Sequence, residues 1–305
     1  MLNYLIQRIV LLFVVVLGAA TLAFGLLYLS GDPTNLLLPL DASESTREAF
    51  RQAQGYDQPL YIQYGRYLGN LVQGDFGTSL RNKQPALSLV LERFPPTLRL
   101  AGLALLFAVL IAVPAGVVAA NRRGSALELL LMSGALLGQA MPVFWLGLML
   151  ILVFGLNLRW LPISGSGTPQ HYVLPVITLA TFSAASIARL TRGGVLTELG
   201  SDHVRTARAK GLLERGVLYK HALRNAAIPV VTIVGLQLGT LVSGAIITET
   251  IFAWPGIGRF VLLAVSQRDF PVVQASVVIF ALLLALINLG VDLLYLVLDP
   301  RIRYG

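Results

Sequence analysis

Six stretches of this chain, each about 20 residues long and almost free of charge, limit its fold more than any other feature. A hydrocarbon core of about 30 Å is crossed by about 20 apolar residues in a helix. Inside lipid only helices and closed barrels satisfy their own backbone groups. The stretches lie at roughly Ile9–Leu29, Leu100–Ala120, Gly134–Leu156, Tyr172–Leu190, Ile228–Ile251 and Val272–Leu298. They predict an all-α integral membrane protein with six transmembrane helices. Composition agrees, since 56% of the 305 residues are hydrophobic and only 12% are charged, against about 25% charged in soluble domains. With no cysteine in the chain, disulfides, thiolate nucleophiles and thiolate metal sites are excluded.

Two of the stretches need a decision. Apolar sequence runs from Ala126 to Leu156 with Pro142 inside it. Two spans cut from it would each be short, so one long helix bent at the proline is expected. The first stretch has a 21-residue apolar core, too long for the apolar region of a signal peptide, and Ser30–Gly31–Asp32–Pro33 is a poor cleavage site. It is read as a span.

Six spans leave both ends on one side, and basic residues say which. Arg8, Arg122, Arg123, the eight from Arg189 to Arg224, Arg301 and Arg303 face Glu128, Glu198, Asp202, Glu214 and Asp299, thirteen bases against five acids. The segment on the other side, residues 31–99, carries seven of each sign. The excess of arginine and lysine predicts that both termini and the 189–227 loop are cytoplasmic and that 31–99 is extracytoplasmic.

The densest positive run is "SDHVRTARAKGLLERGVLYKHALRN" at 201–225. Ser201 or Asp202 can cap a helix through "HVRTARAK", and Gly211 can supply a left-handed stop. Glu214 then falls in the first turn of a second helix, where a carboxylate suits the helix dipole. Val204, Ala207 and Leu212 form a slim apolar stripe, with Arg205, Arg208 and Lys210 around it. One explanation is a topology signal held near anionic lipid. The other is a docking knob, which needs small residues and a fixed corner as well as charge.

At this point the sequence resembles a family. "RTARAKG" is similar to the cytoplasmic loop motif of permease subunits of binding-protein-dependent ABC importers, E-A-A-x3-G-x9-I-x-L-P. Arg205 takes the Glu position, Thr206 and Ala207 the alanines, Gly211 the glycine, His221 the isoleucine, and Leu223 and Arg224 the Leu-Pro; Ala207, Gly211 and Leu223 match. The longer "RTARAKGLLERGVLYKHALRNAAIPVVT" resembles the peptide, nickel and glutathione branch. Further blocks in the same order extend the resemblance over nearly the whole chain: "MLNYLIQRIV", "GDP" at 31–33, "DQPLYIQYGRYL" at 57–68, "GDFGTSL" at 74–80 and "ERFPPTLRLA" at 92–101. They continue with "WLPISG" at 160–165, "FAWPGIGR" at 252–259, "RDFPVVQA" at 268–275 and "DPRIRYG" at 299–305.

The resemblance implies a type I ABC importer permease fold over residues 1–305, with a helical extracytoplasmic loop and a bacterial inner-membrane location. It implies that Asp202, Val204, Arg205, Thr206, Ala207, Arg208, Ala209, Lys210, Gly211 and Leu212 form a coupling helix that docks in a groove of a cytoplasmic ATPase. ATP-driven closure would then be transmitted to the spans, giving alternating access. The expected partners are a second homologous permease in a heterodimer, two ATPase subunits that bind ATP and magnesium, and an extracytoplasmic solute-binding protein. Di- or oligopeptides are the leading cargo, with glutathione and chelated nickel as alternatives.

The residues themselves set further limits. There is no G-x-x-x-x-G-K-[ST] phosphate loop, so ATP chemistry is not expected on this chain. His171, His203 and His221 are the only histidines and have no H-E-x-x-H spacing, and "SGSG" at 164–167 lacks the order of a hydrolase elbow. No catalytic residue, metal site, cofactor or nucleic-acid contact is expected. A channel or ion-coupled transporter is the rival class, but intramembrane acids are few and no inverted repeat is evident.

In the outer segment, Ser45-Thr46-Arg47-Glu48 fits a capping box with Gly55 closing the helix. A second helix is expected from Pro59 to about Val72, with Leu60, Tyr64, Tyr67, Leu68 and Leu71 on one face. It would cap the spans, meet the binding protein, or both. Gln139, Gln237, Ser243, Glu249, Asn288 and Asp292 are the polar residues in or beside spans, candidates for a passage or for interhelical bonds. Glu249 is read first as a loop brace, with Arg259 as a candidate partner, and Asp292 as an interhelical bond near the cytoplasmic end. Gly235, Gly239 and Gly244 with Ser243 make a small-residue face that suits close packing within this subunit or against a partner.

Overall fold

The computed structural model describes residues 2–29, 32, 34, 38 and 42–298, apart from the side chains of residues 2–5, 54, 228 and 294–298. The motif at 30–33 lies largely outside this range, and the tail 299–305 with Arg301 and Arg303 wholly so. The described residues are mostly helical and form no strand, only an isolated bridge between Thr78 and Pro85. Five helices are long and apolar enough to cross a membrane, and a bent pair makes a sixth span if counted as one. The spans outrun the apolar stretches that identified them. The second begins at Ala86 rather than Leu100, and the fourth ends at Leu199 rather than Leu190. Hydropathy marks the part of a helix that fits lipid, whereas backbone bonding continues into water.

One compact unit comprises residues 1–95 and 259–286. It contains α1 (Leu2–Leu29), α2 (Glu44–Gln54), α3 (Leu60–Val72) and the first turns of α4 (Ala86–Asn121). It also holds α10 (Ile257–Ser266) from Arg259 on and the first half of α11 (Phe270–Leu298). The cap of α2 is Ser43, whose hydroxyl accepts from Thr46 N at 3.2 Å. The expected Ser45 cap therefore lies two residues late, because Glu44 is already helical and Ser45 sits in the first turn. Gly55 closes α2 at φ 70°, as its position suggested. The stripe on α3 turns inward. Tyr67, Leu68 and Leu71 pack on Ala20 and Ala23 of α1 and Val278 of α11, and Tyr64 meets the Phe24 ring edge-on at 5.3 Å. Leu60 and Tyr61 remain exposed.

The other unit comprises residues 96–258 and, among the described residues, 287–298. It holds the rest of α4, then α5 (Ala126–Ala140), α6 (Val143–Leu150) with a π-helical end at Ile151–Asn157, and α7 (Gln170–Leu199). The short α8 (Asp202–Ala209) follows. A turn at Glu214–Gly216 and a π-helix at Val217–Ala222 then lead into α9 (Leu223–Ile251). The third span is not one kinked helix: α5 and α6 are inclined by 102°. Met141 is extended, at ψ 128°, and Pro142 caps α6. A residue before proline is driven out of the helical region, and the proline has no N–H to continue the ladder. Here both effects fall on the same link, so the helix ends there.

Small residues let helices of this unit approach. A Cβ on Gly116 would lie 2.6 Å from Ala188 O of α7, and one on Gly235 would lie 2.7 Å from Val291 Cγ2 of α11. Gly235 therefore serves packing inside the subunit. At the end of the unit beside α8, Val117 and Ala120 of α4, Val195 of α7, Leu218 and Ala222 of the π-helix and Ala226 of α9 form one buried cluster.

Candidate functional site

The 201–225 segment forms the corner its residues suggested. Ser201 is extended at the start of α8, and Gly211, at φ 77°, reverses the chain after Lys210. The hydroxyl of Ser201 does not cap α8; it donates to Glu198 O at 2.6 Å. Val204 and Ala207 are buried against Val217 and Leu199, so two of the ten expected coupling residues hold the helix down rather than face outward. The outer surface is left to Asp202, Arg205, Thr206, Arg208, Ala209, Lys210, Gly211 and Leu212, all exposed. Arg208 grips Glu214 with two bonds, Nε–Oε1 at 2.7 Å and Nη2–Oε2 at 3.2 Å. That bond holds the Glu214 carboxyl below the usual carboxylate range and raises Arg208. Arg205 lies 3.5 Å from Asp202, but with side chains 75% and 97% exposed this pair adds little. The result is an outward-facing corner with a basic surface and an apolar underside seated on its own protein.

A polar cluster that the sequence did not single out fastens the start of α8. Glu198 at the end of α7, Ser201, His203 on α8 and Asn225 on α9 lie in mutual bonding distance. Ser201 Oγ is 2.9 Å from His203 Nδ1, Asn225 Nδ2 is 3.2 Å from His203 Nε2, and Asn225 Nδ2 is 3.3 Å from Glu198 Oε2. His203 reads from sequence as an ordinary surface histidine, and nothing in its spacing from Asn225 marks the contact. Nearby, Arg192 of α7 pairs with Glu128 in the first turn of α5, beside a cleft of about 680 Å³ that Arg189 also lines.

The expected polar residues do not share one environment. Gln237 is buried, and its Oε1 accepts from Ser183 of α7 at 3.5 Å. Glu249 is fully buried and accepts from the Thr97 hydroxyl of α4. Both bonds go to residues outside the expected set. Gln139 and Asp292 are partly buried, while Ser243 and Asn288 are exposed.

The Glu249–Thr97 contact is the centre of a clasp. Thr97 Oγ1 also accepts from Ile257 N at 2.9 Å, and Trp254 Nε1 donates to Pro96 O at 3.1 Å. Gly165 N donates to Phe252 O at 3.0 Å. Three sequence blocks, "ERFPPTLRLA", "WLPISG" and "FAWPGIGR", thus meet in space. Gly256 lies against this carboxyl: a Cβ there would fall 2.0 Å from Glu249 Oε1, so the Glu249 side chain would have to shift. In the other unit "GDFGTSL" and "RDFPVVQA" meet likewise: Asp269, almost fully buried, accepts from Ser79 Oγ at 2.5 Å and from Leu80 N at 3.1 Å.

Known proteins share this organisation. Residues 112–304 match the family described as "Binding-protein-dependent transport system inner membrane component", and residues 1–101 match the N-terminal family of the same membrane components. The chain is 44% identical over 305 residues, the full length of both proteins, to the "Glutathione transport system permease protein GsiC" of Escherichia coli strain K12. The protein of that name from Shigella dysenteriae serotype 1 matches to the same degree. Among solved structures, the MetNI methionine ABC transporter in an inward-facing form superposes with a TM-score of 0.57 at 18% identity, over 69% of this chain and 96% of that chain. An amino acid ABC transporter with histidines gives 0.54 at 18%, over 68% and 93%. The structural matches carry the fold alone, the type I permease fold. This chain belongs to the permeases of binding-protein-dependent ABC importers: it is a multi-pass transport subunit rather than an enzyme, working with ATPase and binding-protein partners.

Proposed function

We propose that this chain forms one half of a translocation path for short peptides, with the tripeptide glutathione the first cargo to test. The single observation that carries this reading is identity of 44% across the full length of permeases named for glutathione transport. Other di- and oligopeptides remain within the same reading. The second half of the path is a homologous but different permease in a heterodimer. Two cytoplasmic ATPases supply ATP and magnesium chemistry, and residues 1–305 act as a single permease domain in a bacterial inner membrane with both termini inside.

The exposed face of α8 is the docking surface for one ATPase, with Arg205, Arg208, Lys210, Gly211 and Leu212 at its centre. Its anchoring supports this role, because Val204 and Ala207 are packed beneath it and Arg208 is bonded to Glu214 across the corner. Val204 and Ala207 pass the motion to Leu199 and Val217, and so to α7 and α9. Of the polar residues, Gln237, buried between α7 and α9, is the one placed to sense movement of those two helices against each other. Gln139, Ser243, Asn288 and Asp292 are candidates for the path, and Glu249 for holding the loop beside it.

The test is uptake of labelled glutathione by cells that lack their own importers and express this permease with its partner subunits. Uptake that needs this chain and an intact ATPase supports the reading. Uptake of di- or oligopeptides but not of glutathione would move the cargo within the class. Uptake that persists with inactive ATPase would overturn the transport mechanism.

A further inference from the structure

The cluster that fastens α8 has a titratable group at its centre, and its geometry assigns the protons. Ser201 Oγ donates to Glu198 O at 2.6 Å and lies beside both ring nitrogens, 2.9 Å from Nδ1 and 3.4 Å from Nε2. Asn225 Nδ2 sits between Glu198 Oε2 at 3.3 Å and His203 Nε2 at 3.2 Å. An amide nitrogen can only donate, and turning the amide over would set its oxygen against the carboxylate. Nε2 is therefore the acceptor and Nδ1 carries the proton. In this neutral form Nε2 accepts from the Asn225 amide, and His203 ties α8 to the beginning of α9.

A second proton must go to Nε2, which then becomes a donor. It faces the donor nitrogen of Asn225 at 3.2 Å, and that bond is lost. Glu198 Oε2 stands 3.5 Å from the same ring nitrogen, and an imidazolium pairs with it. The proton thus moves the ring's partner from α9 to the end of α7. We propose that His203 is a positioning residue that selects which span α8 follows: α9 when neutral, α7 when protonated.

This rests on the reading that α8 is the handle moved by the ATPase. It makes coupling sensitive to pH on the side of the membrane where α8 lies. The His203 side chain is 42% exposed to solvent, so protons reach it from the water on that side. Glu198 is the charged group in contact with it from α7. The turn and π-helix packed on α8 carry Glu214, Arg215, Tyr219, Lys220 and His221, and α9 begins with Arg224. None of these bonds to the imidazole among the described residues, and Glu214 is taken by Arg208.

Because the chain has no cysteine, two spin labels can be placed uniquely, at Thr206→Cys on α8 and Leu236→Cys on α9. The distance between them is measured in the full chain in lipid nanodiscs from pH 5.5 to 8, roughly the histidine range. The assembled complex with its ATPases is assayed in parallel for hydrolysis stimulated by the binding protein. A distance shift with a one-proton midpoint is expected in the otherwise unaltered chain. It should vanish in His203→Gln, whose side-chain oxygen still accepts from Asn225. Asn225→Asp places a second carboxylate beside Glu198 and attracts the imidazolium, so α8 should then follow α9 at low pH and the shift should reverse. A His203→Gln chain that keeps the full shift, or an Asn225→Asp chain with unchanged sign, overturns the proposal. Should the ATPases fail to bind the unaltered permease, the coupling reading falls, while the label distances still decide the proton switch.

Discussion

Replacing Thr97 by valine keeps the shape of the side chain and removes its oxygen. Thr97 is fully buried; its hydroxyl donates to Glu249 and accepts from Ile257 N at 2.9 Å. Valine leaves the Ile257 N–H without that acceptor and takes one donor from the carboxylate. A buried group stripped of its bond costs about 1–3 kcal/mol, and a bond to a charged group contributes about 1.5–3 kcal/mol. Together the loss is about 2.5–6 kcal/mol. The control, Thr97→Ser, keeps both bonds and removes one methyl, worth about 1 kcal/mol. In chains of this size about 1 kcal/mol moves the midpoint by roughly 2–4 °C. Valine should therefore lower the midpoint by roughly 5–24 °C and serine by roughly 2–4 °C. The assay is the intact fraction of detergent-solubilised protein after heating at a fixed rate, followed by size-exclusion chromatography. If the two variants melt within about 2 °C of each other, the hydroxyl contributes nothing and the clasp has been misread.

The other expectations concern glycines, the second clasp and the corner. Gly258→Ala sets a Cβ 2.7 Å from the Ile246 backbone, which cannot yield, so it should destabilise by about 1–3 kcal/mol. Gly244→Ala meets only Leu179 Cδ1 at 3.9 Å and should melt like the parent in the same heating assay. Asp269→Ala removes the acceptor for Ser79 and Leu80, and limited proteolysis should then cut the 74–85 loop faster. Gly211 has φ 77° and open space around it, so only backbone strain opposes a side chain there. Asparagine tolerates that conformation and should retain the ATPases on co-purification, whereas valine should lose them. Glu214 titrates below the usual range because Arg208 binds its charged form. The stabilisation it gives the corner is present above the ordinary carboxylate pKa and disappears as pH falls through the lower folded value. A carboxyl NMR titration should show this, and Arg208→Gln should return Glu214 to the ordinary range.

Much of this molecule was readable in the chain because the relevant signals are local. The apolar runs located every span, Gly55 and Gly211 announced their left-handed turns, and α3 showed its buried face through the spacing of Tyr64, Tyr67, Leu68 and Leu71. Pro142 was visible too, but whether it bends or ends a helix depends on the residue before it and on what the two halves pack against. The tertiary structure decided which distant groups meet. Thr97 finds Glu249 across 152 positions, and Ser79 finds Asp269 across 190. Val204 and Ala207 turn inward, and His203 lies between Glu198 and Asn225. Periodicity and turn chemistry are properties of neighbours along the backbone. A buried carboxylate instead takes the partner that packing brings within about 3 Å, and no spacing in the chain records that choice.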